Sequence, residues 1–134
     1  TLDYLKTRVQ FDHPIGSFQA LQHRMADMLG EIELARSAVY AALTAIDENS
    51  EEVPMLESLA KGIAGDSLRR RAREMIQVHG GIGYSRHKPF EHIYRHHRRY
   101  RITEGSEEIQ MRKVAGYLFG FMGPRKKLFA EMGL

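Results

Sequence analysis

Two short stretches of this 134-residue chain hold residue types that could do chemistry. The first is Gln77-Val78-His79-Gly80-Gly81-Ile82-Gly83-Tyr84. The second, about one helix downstream, is Ile102-Thr103-Glu104-Gly105-Ser106. Glycine admits positive φ and lets a ligand come close to main-chain N–H groups. The second stretch adds a lone carboxylate, a group that proton transfer could use. Two glycine-marked breaks, one of them carrying an acid, point to a site at the ends of helices. Each also has a plainer reading. A glycine run serves as a helix C-cap and turn with nothing bound. Ser106 suffices as an N-cap, and an acid beside it is favoured by the helix dipole.

The rest of the chain reads as the scaffold for these breaks. Tyr4 to Val9 continues as helix, and Gln10 to Gly16 is a connection, since Pro14 disfavours helix at His13. Ser17 is placed to cap the next helix. There Phe18, Leu21, Met25, Met28, Ile32, Ala35, Val39, Ala42 and Ile46 recur at spacings of three and four, an apolar stripe about eight turns long. The acidic run Asp47 to Glu52 is a solvated loop. Val53-Pro54 opens a second long helix with Leu56, Leu59, Ile63, Leu68, Ala72 and Ile76 inward, stopped by Gly80 and Gly81. Arg69, Arg70, Arg71 and Arg73 cannot share one face, so most are solvated or paired. Pro89 starts a shorter helix to about Arg101 with Phe90, Ile93, Tyr94 and His97 inward. Ser106 caps a last helix with Ile109, Val114, Tyr117, Leu118 and Phe121 as its apolar positions. Gly123-Pro124 ends it, and Arg125 to Leu134 reads as a short peripheral helix. No run alternates with a period of two, so no sheet is expected. The pattern predicts an all-α fold, an up-and-down four-helix bundle.

Composition sets the bounds. The length suits one domain. Net charge is +3 with acids and bases interspersed, which suits an anionic ligand and is no argument for nucleic acid. There is no cysteine, hence no disulfide and no thiolate chemistry. No apolar run approaches the ~18 residues of a membrane span. His92 and His96 lie four apart, but no carboxylate or cysteine completes a zinc spacing, and no metal is expected. The basic stretch Arg95 to Arg101 reads as a solvated or interface face. Phe119, Phe121 and Phe129 read as core or as oligomer interface. The chain opens at Thr1 inside patterned sequence, as a piece of a longer protein would.

Arg8-Val9-Gln10-Phe11, the stripe Phe18-Gln19…Gln22…Ala26-Asp27-Met28, the Gln77…Tyr84 loop and Glu104-Gly105-Ser106 stand in a familiar order. Together they resemble the C-terminal helical domain of the acyl-CoA dehydrogenase family, from about Leu2 to Leu118. The resemblance implies a bundle domain over residues 1–120 and a tail over 121–134. It implies the last third of an FAD-dependent enzyme whose N-terminal helical and central β-domains are absent, so that the isolated chain is inactive. Arg8 is similar to the arginine that contacts the FAD pyrophosphate, as a bidentate guanidinium suits. Phe11 would pack near the adenine end. Gln77, Gly80 and Gly81 match the loop that receives FAD across a subunit interface. Ser106 keeps the hydroxyl of the usual Thr. Glu104 matches the base that removes the α-proton of an acyl thioester while the β-hydrogen leaves as hydride to the flavin. Its pKa would be raised by desolvation beside the acyl chain.

Three positions depart from the family. Asp12 stands where Gly usually follows the Phe. Thr103 replaces a bulky Tyr, which would widen the acyl pocket around Thr103 and Gly105 towards branched or ring-bearing groups. Glu108 replaces a cofactor-touching Gln. The implied partners are an acyl-CoA substrate, an electron-transferring flavoprotein or similar acceptor, and further subunits in a homo- or hetero-oligomer, dimer or tetramer. The implied compartment is the cytoplasm, or the mitochondrial matrix in a eukaryote. A non-catalytic partner subunit, a helical assembly module and an acyl-CoA oxidase stay open as alternatives.

Overall fold

Residues 1–123, 131 and 133 are described by the computed structural model of the chain. Up to residue 123, six α-helices run in order: α1 (Leu2–Thr7), α2 (Gln19–Asp47), α3 (Val53–His79), α4 (Gly81–Tyr84), α5 (Phe90–His97) and α6 (Glu107–Leu118). Two 3-10 turns, Ile15–Ser17 and Arg98–Arg101, lead into α2 and out of α5. The all-α expectation holds, and both long helices start and stop close to where the apolar periodicity places them. The helix expected over residues 125–134 lies outside the described residues, apart from 131 and 133.

The chain forms two compact units, one of residues 1–33 with 67–99, the other of residues 34–66 with 100–134. The long helices α2 and α3 each contribute one half to each unit.

In the first unit, Leu5, Ala72, Val78 and His79 are buried. The His79 ring stands between Tyr4, at 4.5 Å between ring centroids, and Phe90, at 4.2 Å. Its Nδ1 lies 2.7 Å from the Met75 carbonyl, which can only accept, so Nδ1 carries the proton. This sandwich ties α1 and the start of α5 to the end of α3. Gly83 is required by close approach, because a Cβ there would lie 2.6 Å from the Ile76 carbonyl oxygen. Within the arginine run Arg70 and Arg71 are paired and Arg73 is exposed. Arg70 meets the Glu31 carboxylate at 3.4 Å, Arg71 donates to the Ser67 and Glu31 carbonyls, and Arg24 meets Glu74 at 3.0 Å.

Several expectations fail in this unit. Tyr94, expected inward on α5, is exposed, and the opening helix stops at Thr7, short of the expected Val9. Where no sheet is expected, Val9–Gln10 (β1) and His13–Pro14 (β2) pair antiparallel, Val9 opposite Pro14. A two-residue ladder is too short for alternation to register. Its turn residues, Phe11 and Asp12, both have positive φ (55° and 62°), as a tight hairpin of this hand needs. Asp is among the few side chains that tolerate the conformation. Nor does Ser17 cap α2, since its hydroxyl donates to the Pro14 carbonyl at 2.7 Å and closes the 3-10 turn instead.

In the second unit the buried set is Ala42, Ala45, Ser58, Ala60, Gln110, Val114 and Tyr117. Small side chains dominate, so the helices approach closely. A Cβ on Gly62 would fall 2.3 Å from the Met111 methyl. Asn49, at φ 52°, ends α2 by left-handed closure, with Ser50 N–H donating to the Ala45 carbonyl. The expected stripe needs correction here. Val39 and Ile46 are exposed, and in this half of α2 the inward positions are Ala38, Ala42 and Ala45. Ile109 and Leu118 are exposed too, because α6 buries Gln110, Val114 and Tyr117. The last helix ends at Leu118, not near Gly123, and leaves Phe119 and Phe121 exposed and outside the core. Leu34, Tyr40 and Leu43 join Val39 and Ile46 as an exposed apolar set on α2.

Candidate functional site

The two glycine-marked stretches fall in different units. In the first, the end of α3 and the short helix α4 face the hairpin. Arg8, Gln10, Tyr4, Gln77, Gly80 and Gly81 line a shared concavity of about 520 Å³. Arg8 and Gln77 are both exposed. Gly80 has φ +60°, and its N–H is taken by the Gln77 carbonyl at 3.1 Å. What the two glycines offer is therefore clearance. A Cβ at either would meet nothing within 4 Å of the chain itself. The structure thus brings together four of the residues singled out from the sequence, Arg8, Gln77, Gly80 and Gly81. A guanidinium at the rim of an open, backbone-floored hollow suits a phosphate-bearing ligand. Phe11 does not line this hollow. It is 84% exposed at the hairpin tip, edge-on to Phe18 at 6.2 Å.

In the second unit, residues 102–106 form the loop between the Arg98–Arg101 turn and α6. Ser106 occupies the N-cap position of α6 as expected, but its hydroxyl makes no capping bond; its carbonyl receives the Gln110 N–H at 3.0 Å. Glu104 and Gly105 are both left-handed, φ +57° and +87°. Glycine is needed at 105 twice over, since a Cβ there would also lie 2.7 Å from Gln110 Nε2. Thr103 and Glu104 are exposed. The loop backbone is held from below. Lys61 Nζ donates to the carbonyls of Thr103, Glu104 and Gly105 at 2.6, 2.8 and 2.8 Å. The Gln110 amide donates to the Glu104 carbonyl at 3.1 Å. Arg101, at the head of the loop, pairs with Glu107 and reaches Asp66 at 3.9 Å. A backbone this constrained fixes the Cα–Cβ direction from which the exposed Glu104 carboxylate extends.

Sequence reasoning missed His79, Lys61 and Gln110. His79 stood inside a stretch read for its glycines, and only its partners in α1 and α5 reveal its place. Lys61 had no local signal, its partners being more than 40 residues away. Gln110 sits at a helix position whose spacing from Val114 and Tyr117 marks it as inward; a buried amide there needed partners, and the loop carbonyls supply them. The histidines of α5 form a stack, His92 on His96 at 5.6 Å. The Arg99 charge, then desolvation, then His97 and His92 hold the His96 imidazole below its ordinary pKa. Among the described residues no cluster of three or more His, Cys, Asp or Glu is disposed to hold a metal ion. Nor is any described helix long and apolar enough to cross a membrane.

Comparison with known proteins gives a consistent result. The family profile described as "Acyl-CoA dehydrogenase, C-terminal domain" matches residues 1–119. A 3-sulfinopropanoyl-CoA desulfinase of Paraburkholderia xenovorans (strain LB400) is 37% identical over 121 residues, covering 89% of this chain and 30% of that protein. The structure of butyryl-CoA dehydrogenase from Megasphaera elsdenii superposes with a TM-score of 0.84 at 35% identity, covering 88% of this chain and 30% of that one. A structure described as the FAD complex of PigA superposes with a TM-score of 0.83 at 26% identity, covering 87% and 30%. The chain thus spans about 30% of the length of the relatives it matches.

Proposed function

This chain belongs to the acyl-CoA dehydrogenase family as its C-terminal domain, and on that premise we propose that it serves the FAD-dependent α,β-dehydrogenation of an acyl-CoA thioester. The observation that carries the proposal is the Thr103–Ser106 loop. It exposes one carboxylate, Glu104, on a left-handed backbone fixed through its carbonyl oxygens.

Glu104 takes the role of general base towards the acidified proton α to the thioester carbonyl. For a carboxylate to do this near neutral pH its charged form must be desolvated. In this reading the bound acyl chain provides that desolvation, closing over a group that is exposed in the chain alone. Proton abstraction demands a defined approach direction, and a loop with pinned carbonyls contributes to it by fixing the Cα–Cβ bond from which the base extends. Thr103 and Gly105 border the base, and the small Thr leaves room for a branched or ring-bearing acyl group.

The residues of the first-unit hollow fit an FAD pyrophosphate. Arg8 would supply the countercharge, Gln77 an amide, and Gly80 and Gly81 the clearance. Ser106, at the N-cap of α6, would offer its hydroxyl to the flavin, and Phe11 would pack against the adenine end from a copy or segment that reaches the hairpin tip. Bound FAD supplies the hydride acceptor, and an electron-transferring flavoprotein or similar acceptor then removes the electrons. The exposed Val39, Leu43 and Ile46, which share one face of α2 at three- and four-residue spacing, support an assembled protein, because clustered exposed apolar side chains mark association surfaces.

The test is spectroscopic. The full-length protein carrying this domain is loaded with FAD and mixed anaerobically with acyl-CoA thioesters of graded length and bulk. Bleaching of the flavin absorbance is predicted, fastest with a bulky acyl group. A protein that binds FAD tightly yet bleaches with none of the thioesters contradicts the proposed activity.

A further inference from the structure

We propose that Lys61 is a positioning residue for proton abstraction, setting the backbone of the loop that carries Glu104; the inference rests on Glu104 being the base. An ammonium has three N–H donors. Here all three distances lead to one loop, the successive carbonyls of Thr103, Glu104 and Gly105 at 2.6, 2.8 and 2.8 Å. Successive carbonyls do not normally converge. In a helix they point along one axis, and in a strand they alternate sides. They converge here because Glu104 and Gly105 are both left-handed. The conformation is costly for Glu104, which has a Cβ. It also aims three carbonyl dipoles at one point, where they repel unless a cation sits between them. Lys61 is that cation.

The surrounding contacts show that α3 is built to deliver it. Gly62 and Gly65 leave room for Met111 and Arg101 to lie directly against the helix, where a Cβ would come within 2.3 and 3.3 Å of them. Asp66, one turn further on, reaches Arg101 at the head of the loop. On the other side the Gln110 amide holds the Glu104 and Gly105 carbonyls at 3.1 and 3.4 Å. With the ammonium removed, the Gln110 bonds remain, but the convergence of three dipoles is uncompensated. The turn is then free to unwind towards ordinary φ, and the Glu104 side chain swings with it. The compact head and flexible stem of lysine suit a three-way junction; the planar fork of arginine does not.

The experiment compares the full-length, FAD-loaded parent with Lys61→Met, Lys61→Arg and Glu104→Gln. Turnover, KM, FAD content, melting temperature and the isotope effect with α-deuterated acyl-CoA are measured for each. Lys61→Met is predicted to lower kcat by about 10- to 100-fold, the scale of a misplaced catalytic group. KM and FAD content should stay within about threefold of the parent by the same reasoning, since only direction is lost. The isotope effect should rise as proton abstraction becomes limiting. Lys61→Arg should recover less than half of the lost turnover. A Lys61→Met protein with parental kcat and isotope effect overturns the inference, as does full recovery in Lys61→Arg, which would leave charge alone as the role. If Lys61→Met does not fold, the Lys61→Arg protein decides by the same two readouts. Loss of turnover strictly proportional to loss of FAD content in either variant means a merely structural lysine and also overturns it. An active Glu104→Gln protein, by contrast, would remove the base assignment itself, and the positioning role with it.

Discussion

Replacing Gly81 by alanine separates ligand clearance from folding. The glycine lies at the first position of α4, has no positive φ, and its added Cβ would meet nothing within 4 Å. The chain therefore has no steric objection to the methyl group. Alanine is also the better helix former, by up to about 1 kcal/mol. The melting temperature of Gly81→Ala should thus be unchanged or slightly raised. If the pyrophosphate or ribose of FAD lies against this backbone, the methyl occupies the ligand's space. Overpacking of this kind costs about 1–3 kcal/mol, or roughly 5- to 150-fold in affinity. The assay is titration of the full-length apoprotein with FAD, read by quenching of flavin fluorescence, beside a thermal melt. Gly83→Ala is the contrasting control. There the new Cβ would press within 2.6 Å of the Ile76 carbonyl and 2.7 Å of the His79 Cβ, so stability itself should fall. An FAD affinity in Gly81→Ala equal to the parent's would refute the placement of the cofactor over this loop.

Two further outcomes follow from the first unit. Asp12→Gly relieves a side chain held at φ 62° and should stabilise the protein by about 0.5–1 kcal/mol in a denaturant titration; a loss of stability would show that the Asp side chain makes a contact worth more than its strain. His96→Gln should flatten the acid side of the stability profile. The Arg99, His97 and His92 charges hold the folded-state pKa of His96 below its ordinary 6.5. The unfolded chain therefore takes up the proton first, and stability is lost as pH falls through 6.5 towards the folded value. Melting temperatures compared at pH 7.5 and 5.5 should differ less in the variant than in the parent, and an equal difference contradicts the sign.

Much of this was legible in the sequence because the long helices carry it locally. The three–four apolar spacing from Phe18 to Ala35, the Val53-Pro54 start and the Gly80 stop each signal their element without reference to the rest of the chain. The pattern failed where small side chains took over the burying. In α2 the inward face shifts to Ala38, Ala42 and Ala45, and the larger Val39 and Ile46 are exposed, because close approach favours alanine over bulk. The hairpin escaped notice since Val9–Gln10 and His13–Pro14 are too short to alternate. Of the site, the residues adjoining glycines were visible, and Arg8 with Gln77, Gly80 and Gly81 do share one hollow. Lys61 was not visible. Its meaning lies in three carbonyl groups 42 to 44 residues downstream, and a carbonyl group leaves no mark in a sequence.

The most direct test of the central claim is the reductive half-reaction of the full-length enzyme beside its Glu104→Gln variant, each with equal bound FAD. Glutamine keeps the side-chain shape and the left-handed backbone but cannot take a proton. A general base is worth about 10²- to 10⁴-fold. Stopped-flow bleaching of the flavin by acyl-CoA is therefore predicted to slow by at least about a hundredfold in the variant while thioester binding persists. Bleaching at the parental rate would place the base elsewhere and contradict the account.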